Sequence, residues 1–331
     1  MGKIVKPYEI ISQIGQGGMG VVYKARHLHL NKIVAIKQLW PQYSHDPVFI
    51  KYFLSGGKKL FEFDHKNIVK VFDILEEGGE YYIVMEFVEG RTLSEIIQKQ
   101  VGPIYQERAI NLFKQVLEGL AYIHNKPNPI IHRDIKPLNI LVTGDDTVKI
   151  TDFDISKVLE VSDVAKSTTV KGTPTYMSPE QIMDPSSVDI RTDIYSLGMT
   201  FYEMLCAKTP FEGLSSTTPT AVYSAIMNGI VKPPTHFYHG ITESLSAFVM
   251  KAIDKDRDNR FANANEMLRE LERLESSGQT TVQDTGKYIP HHRSEISETP
   301  TVVDTLPYSS PFEDRIGREA KPKVMKSLPT K

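Results

Sequence analysis

Cysteine is almost missing from this 331-residue chain: Cys206 is the single one. No intrachain disulfide can form, which points to a reducing compartment. Cys206 follows the apolar run Leu197–Leu205 and reads as a small core residue. Also absent is any run of about 18 apolar residues, so no membrane helix is encoded. The opening Met1-Gly2-Lys3-Ile4-Val5-Lys6-Pro7 has no signal-peptide core, and Lys6 stands where a myristoylated Gly2 needs Ser or Thr. These absences set the expectation of a cytoplasmic protein. No excess of one charge exists either: 39 basic against 41 acidic side chains leave a net charge of -2. That excludes the basic surface of a nucleic-acid binder and the polybasic patch of a membrane-surface protein. What remains, 40% hydrophobic and 24% charged residues, is the make-up of an ordinary globular chain.

The first ninety residues are strand-like. Tyr8–Gly15 and Gly20–Ala25 flank glycines, Ile33–Gln38 is β-branched, and Ile68–Leu75 and Tyr81–Phe87 are joined by the turn Glu77-Gly78-Gly79-Glu80. Val48–Phe63 is the one helical candidate among them. From residue 92 the apolar period becomes helical, over Thr92–Lys99, Tyr105–Asn125, Asp193–Cys206, Thr220–Asn228, Leu245–Asp254 and Ala264–Ser276. After about residue 276 Ser, Thr, Pro and charged residues dominate, and 276–331 reads as a disordered tail.

Three motifs carry chemistry. His132-Arg133-Asp134-Ile135-Lys136-Pro137-Leu138-Asn139 spaces an acid, a cation and an amide as a phosphoryl-transfer loop needs them. Asp134 can orient a hydroxyl and accept its proton, Lys136 can sit over the transferring phosphate, and Asn139 can hold a metal ion. Gly15-Gln16-Gly17-Gly18-Met19-Gly20-Val21-Val22 lets backbone N–H groups approach phosphate oxygens. Its spelling matches the Rossmann fingerprint, but the β-prone Val21–Ala25 follows where a Rossmann loop opens a helix. One strand later, Val34-Ala35-Ile36-Lys37 sets Lys37 on the same face as Ala35.

In that order the motifs resemble the eukaryotic-like (Hanks-type) serine/threonine protein kinases, bacterial branch, over about residues 6–275. The resemblance implies an α+β bilobal fold: a kinase domain at 1–275 with a small antiparallel β-rich lobe to about 88, a hinge at 86–90 and a larger helical lobe over 91–275. It implies ATP and Mg²⁺ or Mn²⁺ as cofactors and protein substrates. Lys37 pairs with the α/β-phosphates. Met85 becomes the gatekeeper, the backbone of Glu86 and Val88 bonds adenine, and Val22, Ala35 and Leu141 sandwich the ring. Asp152, in Thr151-Asp152-Phe153-Asp154, becomes the second metal ligand beside Asn139, with Phe153 packed beneath the small-lobe helix. Thr168 and Thr169 become phosphorylation sites with Arg133 as their cationic partner. Thr173 contacts Asp134 and Lys136, which favours Ser/Thr over Tyr substrates. Glu180 and Arg260 form a structural pair, and Asp193 holds the catalytic-loop backbone or simply caps a helix. Relatives often dimerise through the back of the small lobe, so a homodimer is a further expectation.

Two positions depart from the pattern. The small-lobe helix should offer Lys37 a glutamate, and that position is Gly56, followed by Gly57. Two interior glycines cost about 1 kcal/mol each relative to alanine, so a weak, kinked or unwound helix is predicted. Glu62 falls on another helical face, and Glu76 and Glu77 have no evident place. Asp154 replaces the glycine of D-F-G and adds a second carboxylate beside Asp152. These changes raise the alternative of a nucleotide-binding pseudokinase scaffold. The retained Lys37, Asp134, Lys136, Asn139 and Asp152 favour an active enzyme, weak or partner-dependent. In the tail, Thr281 and Thr301 each precede an aspartate by three residues, which resembles the phosphothreonine motif of forkhead-associated (FHA) domains.

Overall fold

Alternating apolar residues and glycine-bearing turns build a six-stranded antiparallel sheet at the N-terminal end of this computed structural model, which describes residues 4–99, 102–153, 174–212 and 218–280. The strands are β1 (Ile4–Val5), β2 (Tyr8–Gln16), β3 (Gly20–His27), β4 (Ile33–Leu39), β5 (Val71–Glu77) and β6 (Glu80–Glu86), in the order β1-β2-β3-β4-β6-β5. Gly78 and Gly79 both take positive φ, +63° and +77°, which gives the β5–β6 hairpin a turn whose twist matches its strands. Side chains on β4 alternate between two cores. Val34 and Ile36 join Val5, Tyr8, Ala25, Tyr82 and Val84 on one face, and Leu39 joins Phe53, Val71 and Ile83 on the other.

Helix α1 (Pro47–Phe61) covers the second face. Asp46 caps it by accepting the Val48 N–H at 2.8 Å. Contrary to the prediction from its two glycines, α1 is one continuous helix. A Cβ on Gly57 would stand 2.9 Å from Ile74 Cδ1 and 3.1 Å from Ile83 Cδ1. Glycine here permits close helix–sheet contact, and burial against β5 and β6 offsets the propensity cost. The strand predicted from Ile68 begins instead at Val71. Asn67–Val69 are drawn to the other lobe: Val69 N–H donates to Ile150 O at 2.9 Å, and Ile150 N–H donates to Asn67 O at 2.8 Å.

Beyond Glu86 the chain is mainly helical, with α2 (Leu93–Lys99), α3 (Gln106–His124), α4 (Pro179–Met183), α5 (Arg191–Cys206), α6 (Pro219–Asn228), α7 (Glu243–Ala252) and α8 (Ala264–Ser276). All of α5 except Arg191 and Glu203 is buried, so it is the axis around which α3 and α7 pack. A small antiparallel sheet of β7 (Gly90–Thr92), β8 (Ile140–Thr143) and β9 (Val148–Ile150) lies at the lobe boundary. The segments carrying Asp134, Lys136 and Asn139 precede β8, and Asp152 follows β9.

Candidate active site

The β2–β3 turn is closed by a Gly17 N–H to Gly20 O bond of 2.8 Å. Gly20 is demanded by the sheet, since a Cβ there would lie 2.0 Å from Gln38 O. Gly17 and Gly18 are different: a Cβ on either meets nothing within 4 Å, and neither has positive φ. A side chain at either position would enter open space. A Cβ on Gly15 would make ordinary contact with Val22, at 3.9 Å, and Gln16 is exposed. The Trp40 indole donates to Gly17 O at 2.9 Å and its backbone N–H donates to Met19 O at 2.9 Å, so the residue that follows β4 grips the loop at two points.

Sheet register sets Val22 opposite Lys37 and Ala35 opposite Met85. Leu141 lies on the middle strand of the other sheet, paired with Lys149. The Glu86 N–H donates to Lys70 O at 2.8 Å. The Val88 N–H has no hydrogen-bond partner among the described residues.

Lys37 Nζ lies 2.6 Å from Asp152 Oδ1. The ammonium holds the Asp152 carboxyl below the usual aspartate range against the opposing effect of burial. Asp152 adopts a positive φ of +55°, and Phe153 turns into the core against His132, 4.4 Å between ring centres, and Phe63, at 5.8 Å. Glu62 is exposed at the C-cap of α1 and forms no ion pair among the described residues, while Glu77 accepts the Lys6 N–H at 2.9 Å, far from Lys37 in the sheet.

The loop before β8 is held from below. Buried Asp193, on α5, accepts the N–H of His132 at 2.7 Å and of Arg133 at 2.8 Å, and its Oδ2 also meets His124 Nε2 at 2.9 Å. Burial lowers the His132 pKa; with Nδ1 accepting the Asp134 N–H, the ring proton is assigned to Nε2, which donates to Thr151 O at 3.1 Å. Above this frame, Lys136 Nζ and Asn139 Nδ2 each reach Asp134 Oδ2 at 2.8 Å, and Asn139 Nδ2 also donates to Asp134 O at 2.8 Å. With its amide N–H groups on Asp134, Asn139 has Oδ1 left to meet a metal. Asn139 Oδ1 and the Asp152 carboxylate are hard oxygen donors. Among the described residues no cluster of three His, Cys, Asp or Glu could cage a metal alone. Such a site fits a cation that completes its shell with phosphate oxygens and water.

Arg260 and Glu180 form a buried two-pronged pair, at 2.7 and 2.9 Å. Ser178 and Gln181 make a capping box on α4, and Gln181 Nε2 donates to Arg133 O at 3.0 Å. Burial lowers the pKa of Arg133. Asp154, Thr168, Thr169, Thr173, Thr281 and Thr301 lie outside the described residues. Sequence reasoning missed Trp40, Gln181 and Asn67, whose Nδ2 donates to Val148 O at 2.9 Å. The Ser-x-x-Gln spacing at 178–181 was a readable signal for Gln181. Nothing local marks Trp40 or Asn67, whose partners are distant in sequence.

The family model described as protein kinase domain matches residues 8–271. The chain is 37% identical over 272 residues to the serine/threonine-protein kinase PrkC of Bacillus subtilis, covering 76% of this chain and 41% of that protein. It is 37% identical over 273 residues to the serine/threonine-protein kinase PknB of Mycobacterium tuberculosis, covering 81% and 42%. A probable serine/threonine-protein kinase of Clostridium perfringens is 38% identical over 283 residues, covering 85% and 40%. The chain therefore spans about two fifths of the length of these curated relatives. Among solved structures, the PknI kinase domain of Mycobacterium tuberculosis superposes with a TM-score of 0.64 at 21% identity, covering 82% of this chain and 97% of that one.

Proposed function

The chain belongs to the protein kinase domain family, and from that premise we propose that it transfers the γ-phosphoryl group of ATP to Ser or Thr hydroxyls of proteins. The observation that carries this reading is the bonded set Asp134–Lys136–Asn139, facing the Lys37–Asp152 pair across the cleft. Asp134 accepts the hydroxyl proton and aims the oxygen in line with the γ-phosphorus. Lys136, already tied to Asp134, offsets charge on the transferring group. Lys37 and the open loop around Gly17 and Gly18 hold the phosphates, and adenine lies against Ala35 and the hinge, bonded by Glu86 O and Val88 N–H. Asn139 and Asp152 hold Mg²⁺ or Mn²⁺, which neutralises charge on the β- and γ-phosphates when bound. Because this chemistry is mostly positioning and electrostatics, the retained phosphate- and metal-facing groups favour an enzyme over a scaffold.

The same reading assigns regulation to Thr168 and Thr169, with Arg133 as phosphate partner, and substrate positioning to Thr173. It takes residues 1–275 as the catalytic unit. The tail, 276–331, offers Thr281 and Thr301 as docking phosphosites for an FHA domain. A homodimer and a cytoplasmic setting complete the proposal.

The test is ATP-dependent autophosphorylation of the purified chain with Mg²⁺ and then Mn²⁺, mapped by mass spectrometry beside Asp134→Asn. Incorporation that falls by about 10²–10⁴ in the variant is expected for a lost catalytic base. No incorporation with either metal in protein that binds ATP overturns the reading.

A further inference from the structure

Helix α4 opens with a capping box in which Ser178 and Gln181 exchange bonds. The Gln181 amide is turned one way only by its partners. Its Oε1 accepts the Ser178 N–H at 3.0 Å, and its Nε2 donates to Arg133 O at 3.0 Å. One side chain must therefore accept at one atom and donate at its neighbour, and at this length only glutamine does both. Capping does not require that choice. Glutamate fills the same place in a capping box, and its charge suits a helix N-terminus. What glutamate lacks is the N–H for Arg133 O. The residue type at 181 is thus explained by the bond that leaves α4 and not by α4 itself. That bond ends on a demanding piece of backbone. Arg133 has a φ of +66°, in the left-handed region that a residue with a side chain holds where its surroundings specify it. The peptide joining Arg133 to Asp134 is pinned at both ends, its N–H by His132 Nδ1 at 3.3 Å and its C=O by Gln181.

We infer that Gln181 is a positioning residue for Asp134. The plane of the Arg133–Asp134 peptide sets ψ of Arg133 and φ of Asp134, and so the direction in which the Asp134 side chain leaves the backbone toward Lys136 and Asn139. Gln181 acts through that peptide, and α4 thereby enters the geometry of the loop. The effect on rate rests on the phosphoryl-transfer reading, whereas the effect on the loop backbone does not. A side chain that only caps α4 contributes to folding, and glutamate replaces it without loss. One that aims Asp134 contributes to the maximal rate, and glutamate fails in its place. ATP affinity is set elsewhere, since the groups proposed to hold the phosphates, Lys37 and the β2–β3 turn, belong to the other lobe.

The test compares three variants of the full chain. Gln181→Glu keeps the acceptor for Ser178 and removes the donor to Arg133. Gln181→Met removes both. Ser178→Ala removes the capping hydroxyl and leaves the Gln181 donor and the Ser178 N–H in place. Autophosphorylation is followed against ATP concentration with Mg²⁺, and hydrogen exchange of the segment 132–136 is followed by mass spectrometry. Gln181→Glu and Gln181→Met are both expected to lower the maximal rate about 10- to 100-fold with KM for ATP within about twofold of wild type. Exchange in 132–136 should quicken about two- to tenfold in both, the worth of one lost hydrogen bond. Ser178→Ala should match wild type in rate and exchange. Urea unfolding verifies that each variant is folded, and if Gln181→Glu is not, Gln181→Met carries the same expectation. Wild-type rate and exchange in Gln181→Glu, an equal loss of rate in Ser178→Ala, or a higher KM at an unchanged maximal rate overturns the inference. Should the wild-type chain transfer no phosphate, the kinase reading fails and exchange alone decides. Quicker exchange in Gln181→Glu than in Ser178→Ala then upholds the inference, and equal exchange overturns it.

Discussion

Single atoms at the mouth of the cleft separate a glycine demanded by the sheet from glycines that face open space. Gly20 and Gly18 look alike in sequence, yet a methyl group on the first collides with Gln38 O and on the second touches nothing. Gly20→Ala is therefore expected to lower the midpoint of urea unfolding by breaking the β3–β4 register. Gly18→Ala should leave that midpoint unchanged and raise KM for ATP, because the added carbon occupies phosphate space. Trp40 supplies a second contrast. Trp40→Phe keeps the ring and the backbone bond to Met19 and removes only the indole N–H that holds Gly17. A hydrogen bond of this kind is worth about 0.5–1.5 kcal/mol, so KM for ATP should rise about two- to tenfold while kcat changes less. Trp40 is the only tryptophan, and its fluorescence should shift when Mg²⁺ and ADP bind the wild-type protein. An unchanged KM and a silent fluorescence signal would remove its positioning role.

Helix α1 shows what a local reading can and cannot see. The mutual contacts of Asp134, Lys136 and Asn139 were legible because the three side chains lie within six residues of one another. The strands and long helices were legible from apolar period, and their ends moved by only a few residues. Gly56 and Gly57 read as a helix break because propensity is a local quantity, whereas the packing that overrides it comes from Ile74 and Ile83, farther along the chain. The short strands β1 and β7 and the five-residue α4 were missed because two to five residues carry no measurable period. The packing account of Gly57 makes its own prediction. Gly57→Ala gains about 1 kcal/mol of helix propensity and loses a similar amount pushing the two isoleucine side chains aside, so it should stay within about 1 kcal/mol of wild type. Gly57→Leu has no such balance and should destabilise by about 1–3 kcal/mol in urea titration. Stabilisation by leucine would mean that α1 does not lie against β5 and β6 as described.

Over the whole molecule, the backbone of the loop that carries Asp134 is held by the helical lobe beneath it. Asp193 takes its backbone N–H groups from α5, Gln181 takes the Arg133 carbonyl from α4, and Glu180 ties α4 to the segment before α8 through Arg260. All of the Arg260 guanidinium nitrogens are used: besides Glu180 they donate to the carbonyls of Asp254, Arg191 and Lys255, at 2.7, 3.1 and 3.2 Å. A lysine cannot reproduce that fork, so Arg260→Lys should behave nearly as badly as Arg260→Ala, about 3–5 kcal/mol for a broken buried pair. The pair also has a pH signature. Burial pushes the Glu180 carboxyl upward, but hydrogen bonds and charge from Arg260, with further bonds from its own backbone and Thr192, outweigh it and hold the group below the ordinary glutamate value of 4.5. A depressed carboxyl pKa means that the unfolded chain takes up the proton first. The contribution is therefore complete above pH 4.5 and is lost as pH falls through the lower, folded value. Glu180→Gln cannot titrate and should show a shallower fall in unfolding free energy between pH 5 and 3, in units of roughly 1.4 kcal/mol per pKa unit. Its deficit against wild type should be widest near neutrality and narrow in acid. Parallel acid profiles for the two proteins would mean that the Glu180 carboxyl is not held low by Arg260, and that the floor of the catalytic loop rests on Asp193 and Gln181 instead.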